Sequence, residues 1–153
     1  MINHILVPTD GSDSALVAAK QAGELARRLG ARVSVIAVQA NELILSHSWG
    51  ADLDGSVAYG SMTVDQVREL LAERVREQEL EKTLTRLGDL DQPPVSEICW
   101  GDAVAEICRY AKEQEVDLIV MGTHGRSGVT RFVLGSVSER VAGRAHCSVM
   151  VAR

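Results

Sequence analysis

The chain has 153 residues, enough for one domain around one core. Its composition, 46% hydrophobic and 24% charged, is that of a globular protein, and an aromatic share of 3% leaves Val, Leu, Ile and Ala to fill the interior. A formal net charge of -5 argues against a general nucleic-acid binder, which needs a basic face, and no apolar run is long enough to span a bilayer.

HILVPT (4–9) is a short apolar run closed by Pro8 and a polar turn, and it predicts a buried strand. Residues 12–30 follow as a helix. Leu16, Ala19, Ala22, Leu25, Ala26 and Leu29 form its stripe, Ser12 or Asp13 its cap, and Gly30 its stop. RVSVIAVQ (32–39) predicts a second strand. Residues 40–62 show no clean period and form the longest loop, a candidate surface for a protein partner. Thr63 and Gln66 have capping-box spacing and open a helix over 63–88. Its stripe is Val64, Val67, Leu71, Val75, Leu80, Leu84 and Leu87. VSEICW (95–100) predicts a partly exposed strand, and Asp102 caps a helix that runs to 115. Residues 116–122 make the most apolar strand. A glycine-rich loop then leads to a helix over 136–145 and a last strand over 146–152.

This order, β-α-β-α-β-α-β-α-β, specifies a doubly wound α/β fold: a five-stranded parallel sheet with helices on both faces. The two most apolar strands, 4–9 and 116–122, belong at its centre. Ligands of such sheets bind beyond the carboxyl ends of the strands, where the strand order reverses. Neighbouring first and fourth strands would set Thr9, Asp10 and Gly11 across a crevice from Gly122, Thr123 and His124.

That crevice holds the chemistry of MGTHGRSGVTRFVLGSVSERV (121–141). Glycines at 122, 125 and 128 are expected to give positive φ and to clear side chains from a ligand's approach. Ser136 and Glu139, in capping-box spacing, would begin a helix whose open N–H groups and dipole attract an anion. Arg126 and Arg131 would add charged contacts to phosphate. Ser138 is expected as a solvated hydroxyl. The alternative is an ordinary loop with turn glycines. Asp10, at a central strand's carboxyl end, suits ribose hydroxyls or a turn. The four histidines lack metal spacing, no P-loop or G-x-G-x-x-G is present, and Asp10 breaks the S-G-G-x-D-S pattern of ATP pyrophosphatases. Cys99, Cys108 and Cys147, an odd count without C-x-x-C spacing, are expected as small buried hydrophobes.

GTHGRSGVTRFVLGS resembles the G-x2-G-x9-G-[ST] nucleotide-binding pattern of the universal stress protein family, through Gly122, Gly125, Gly135 and Ser136. ILVPTDGS, GDAVAEI and CSVMV are similar to further stretches of that family, so the resemblance spans the chain. It implies a dimeric five-stranded α/β domain that binds ATP in some members. Carried over, the glycine motif with Val137 would hold phosphates and ribose. Pro8, Thr9 and Asp10 would lie by ribose and adenine, and Val38 and Met121 by the base. The expectation is a cytoplasmic regulatory module for ATP, or for ADP or AMP, with Mg²⁺ carried by the phosphates. Two alternatives stand beside it: a slow ATPase or adenylate-handling enzyme, and a dimeric interaction protein without nucleotide. The homodimer would form through the last strand, 146–152.

Overall fold

The computed structural model describes residues 1–41, 63–123 and 135–153. The strands are β1 His4–Thr9, β2 Arg32–Gln39, β3 Val95–Trp100, β4 Leu118–Gly122 and β5 Ser148–Ala152. The helices are α1 Asp13–Leu29, α2 Val64–Val75, α3 Glu81–Leu87, α4 Ala103–Glu113 and α5 Ser136–Arg144. A π-helical turn, Arg76–Leu80, joins α2 to α3. All strand pairs are parallel and the order is β3-β2-β1-β4-β5, so the α/β architecture expected from the alternation is present.

All six residues of β1 are buried, as a central parallel strand requires. Successive side chains go to opposite faces. Ile5, Val7, Val33, Val35, Leu118 and Val120 pack with α1 and the α2–α3 helix. Leu6, Ile36, Ile119 and Met121 pack with α4 and Val141 of α5.

Of the stripe expected on α1, Ala19, Ala22 and Ala26 are buried and Leu25 packs against the core, but the buried face is centred on the alanines rather than the leucines. Ala15, Ala18, Ala19, Ala22, Gly23 and Ala26 face inward, while Leu29 is 47% exposed. The approach is closest at Gly23, where a Cβ would stand 2.0 Å from the Leu87 carbonyl oxygen, so no side chain fits at that position. Ser12 caps α1 and Gly30 ends it with φ 66°, both as expected. The long helix does open on the Thr63–Gln66 capping box, but it is not regular α-helix to 88. Its π-turn takes up the five-residue step between Val75 and Leu80, both buried, while Val64 is left 46% exposed at the start.

The ladder between β1 and β4 ends at Leu6–Ile119. The β1–β2 ladder runs on to Thr9–Ala37, and β4–β5 to Gly122–Ala152. The carboxyl ends of β1 and β4 are therefore unpaired with each other, and Pro8 has no N–H to extend a ladder.

Candidate functional site

A cavity of about 210 Å³ opens at this point between β1 and β4. Its wall contains Pro8, Thr9, Asp10, Val38, Met121, Gly122, Gly135, Ser136 and Val137. Of the residues singled out in the sequence, Gly125 and Arg126 lie outside the described residues, as do His124, Gly128, Arg131 and residues 42–62 of the long loop. Gly11 and Thr123 do not line the cavity. Five lining residues were not anticipated: Ala15, Ile36, Ala103, Ile107 and Ser138. Ala103 and Ile107 were legible in principle. They sit one turn apart just behind the Asp102 cap, on the face an amphipathic helix turns toward the sheet.

The wall has two chemical halves. Ile36, Val38, Ala103, Ile107 and Met121 supply an apolar surface suited to a flat ring. Thr9, Asp10, Gly135, Ser136 and Ser138 supply the polar one. Asp10 is held in a turn, its Oδ1 accepting the Ser12 N–H at 3.0 Å.

The N-terminus of α5 is the decisive polar element. Its N-cap is Gly135, not Ser136, and no side chain caps it. The expected Ser136–Glu139 capping box is absent because Ser136 is already the first helical residue. The first intrahelical bond is Glu139 N–H to Gly135 C=O at 3.0 Å. The preceding N–H groups of 136–138 precede any i−4 carbonyl of the helix, at residues that line the cavity. By contrast α1, α2 and α4 are capped by Ser12, Thr63 and Asp102. Ser138 is not the solvated hydroxyl expected. It is buried and donates to the Gly122 carbonyl at 2.9 Å. Gly135 N–H donates to the Thr123 carbonyl at 2.7 Å, so residues 123 and 135 are pinned together.

Gly122 also needs a new reason. It is not among the positive-φ glycines. A Cβ there would lie 2.5 Å from Ser14 Oγ and 2.9 Å from the Ala15 nitrogen, so the missing side chain admits the first turn of α1. Among the cysteines, Cys99 is buried as expected, and burial followed by the Glu97 charge pushes its thiol up to about 11. Cys108 and Cys147 are only half-buried. No group of His, Cys, Asp and Glu that could hold a metal occurs among the described residues. No helix among them is long and apolar enough to cross a membrane.

The sequence matches the profile of the universal stress protein family over residues 1–153. The chain belongs to the universal stress protein family. A universal stress protein of Methanocaldococcus jannaschii is 37% identical over 149 residues, 97% of this chain and 81% of that one. The solved structure of another M. jannaschii member superposes with a TM-score of 0.79 at 26% identity, over 99% of this chain and 96% of that one. Two more distant structures of the same fold were solved with ligands. One is a universal stress protein in complex with cAMP (22% identity, TM-score 0.64, 99% and 97% covered). The other is the Archaeoglobus fulgidus family member in complex with dAMP (19% identity, TM-score 0.56, 100% and 98% covered). Membership in the family makes this a stress-response protein, and the β1–β4 cavity its candidate site.

Proposed function

We propose that this protein binds an adenine nucleotide in the β1–β4 cavity and acts as a cytoplasmic, nucleotide-responsive regulatory module. The uncapped α5 N-terminus, set across a small cavity from an apolar wall, is the observation that carries this reading. A purine packs on Ile36, Val38, Ile107 and Met121. Asp10 accepts from the ribose hydroxyls. Phosphate receives the N–H groups of 136–138 and the positive end of the α5 dipole. The cavity of about 210 Å³ lies below the ~300–1,000 Å³ of sites that enclose a whole ligand. It therefore suits the base and sugar, with the phosphates of ATP, ADP or AMP at the N-terminus of α5. Mg²⁺ would arrive on the phosphates. The cAMP and dAMP complexes of distant relatives support an adenine mononucleotide as the common part of the ligand. Two copies of the chain pair through β5, which is an edge strand.

Mass spectrometry of freshly purified protein, followed by calorimetric titration with adenosine, AMP, ADP and ATP, tests the reading. Asp10→Ala is expected to weaken AMP, ADP and ATP by similar factors, through loss of bonding worth about 0.5–1.5 kcal/mol. Arg126→Ala is expected to weaken ATP more than adenosine, and less so at high salt. Wild-type protein that binds none of the four ligands at millimolar concentration sinks the proposal.

A further inference from the structure

Thr83 lies on α3, does not line the cavity and is fully buried. Its hydroxyl donates to the Glu79 carbonyl at 2.7 Å, which commits its one hydrogen. Thr9 Oγ1, 2.7 Å from Thr83 Oγ1, is therefore the donor of that pair. Thr9 in turn accepts the Gly11 N–H at 3.1 Å. A directed chain of hydrogen bonds runs from the Gly11 amide through Thr9 and Thr83 to the π-turn.

A second contact joins the same segments. Gly11 has φ +74°, and a Cβ there would stand 2.8 Å from the Gln78 carbonyl oxygen and 3.3 Å from Glu79 Cα. The turn after β1 thus rests on the backbone of the π-turn. Thr9 and Gly11 are the two neighbours of Asp10, and both are anchored to one piece of helix. That helix is itself tied to the end of β2, where the Glu79 carboxylate accepts Gln39 Nε2 at 3.2 Å through each oxygen.

We propose that Thr83 is a positioning residue: through Thr9 it fixes the turn that presents Asp10 to the cavity, and so sets the affinity for the sugar of a bound nucleotide. This rests on the nucleotide reading of the cavity. Thr83→Val keeps the shape and removes the hydroxyl, Thr83→Ser keeps the hydroxyl, and Thr9→Val breaks the same chain one link on. Two measurements are made on the intact protein: amide exchange by NMR without nucleotide, and titration with AMP and with adenine. In Thr83→Val and Thr9→Val the Gly11 and Ser12 amides exchange at least about five-fold faster, and AMP affinity falls about five- to tenfold. In Thr83→Val, which leaves the cavity wall untouched, adenine affinity stays within about two-fold, and Thr83→Ser behaves as wild type. Unchanged exchange at Gly11 overturns the inference, as does an AMP loss matched by an equal adenine loss, or a serine variant as weak as the valine one. Wild-type protein that binds neither ligand overturns the nucleotide reading, while the exchange measurement still decides whether Thr83 holds the turn.

Discussion

A methyl group on Gly122 would sit 2.5 Å from Ser14 Oγ and 2.7 Å from the Ser14 carbonyl carbon. The glycine therefore serves the meeting of β4 with α1 as well as the cavity wall. Gly122→Ala is expected to lower folding stability by about 1–3 kcal/mol, the usual range for forcing an extra carbon into a packed site. Chemical denaturation with and without AMP checks this. A variant that melts like wild type would return Gly122 to a ligand-clearing role. Sequence spacing placed Gly122 at the cavity, but the positive φ expected of it is absent and the contact with α1 was not read. The contact that decides it comes from Ser14 and Ala15, more than 100 positions away, and no local pattern encodes it. Ser138 is the same kind of case. Its burial follows from a carbonyl at the end of another element, Gly122, not from its neighbours.

The elements themselves were largely legible, because hydrophobic period and punctuation are local. Each strand and helix expected over the described residues is present, and the alternation sufficed for the parallel sheet. Two features were not read. One is the alanine face of α1, where larger side chains would satisfy the helical period equally well but Gly23 must meet the Leu87 carbonyl. The other is the π-turn. The step from Val75 to Leu80 is one residue too long for an α-helical stripe, and that slip was its only signature. The edge strand β5 carries the proposed dimer. Val149 pairs with Ile119 of β4 and packs against the α4 side of the sheet, while Met150 packs on the opposite side. The expected outcome for Val149→Pro, which removes a ladder donor, is a halved mass in light scattering at micromolar concentration with the circular dichroism of a folded chain. A folded variant that retains the wild-type mass would place the dimer contact elsewhere.

Taken whole, the molecule is closed at its opposite end by His4. Its ring is 3% exposed and joins three elements. Nδ1–H donates to the Gln114 carbonyl at 3.0 Å, beyond the end of α4, and Nε2 accepts the Ser34 hydroxyl of β2 at 2.8 Å. Burial first, and then the Arg32 charge, lower its pKa below 6.5, against opposing effects from the Gln114 carbonyl and Asp117. The unfolded chain therefore takes up this proton first on acidification. The stability contributed by neutral His4 is complete above about pH 6.5 and is lost as pH falls from there through the folded-state value. Asp117, whose carboxyl is held low by the Asn3 and His4 amides, acts only at still lower pH. Melting temperatures are expected to fall between pH 7.5 and 5.5, and His4→Gln to flatten that window. An equal slope in both proteins would assign it to other groups. At the cavity end, the bond from Gly135 to Thr123 brings positions 123 and 135 together at one clasp. Chain inserted between two ends that already meet costs little to close: doubling a loop adds only about 0.6 kcal/mol of closure entropy. A glycine-serine insertion between 123 and 135 is therefore expected to leave the melting temperature of the fold nearly unchanged.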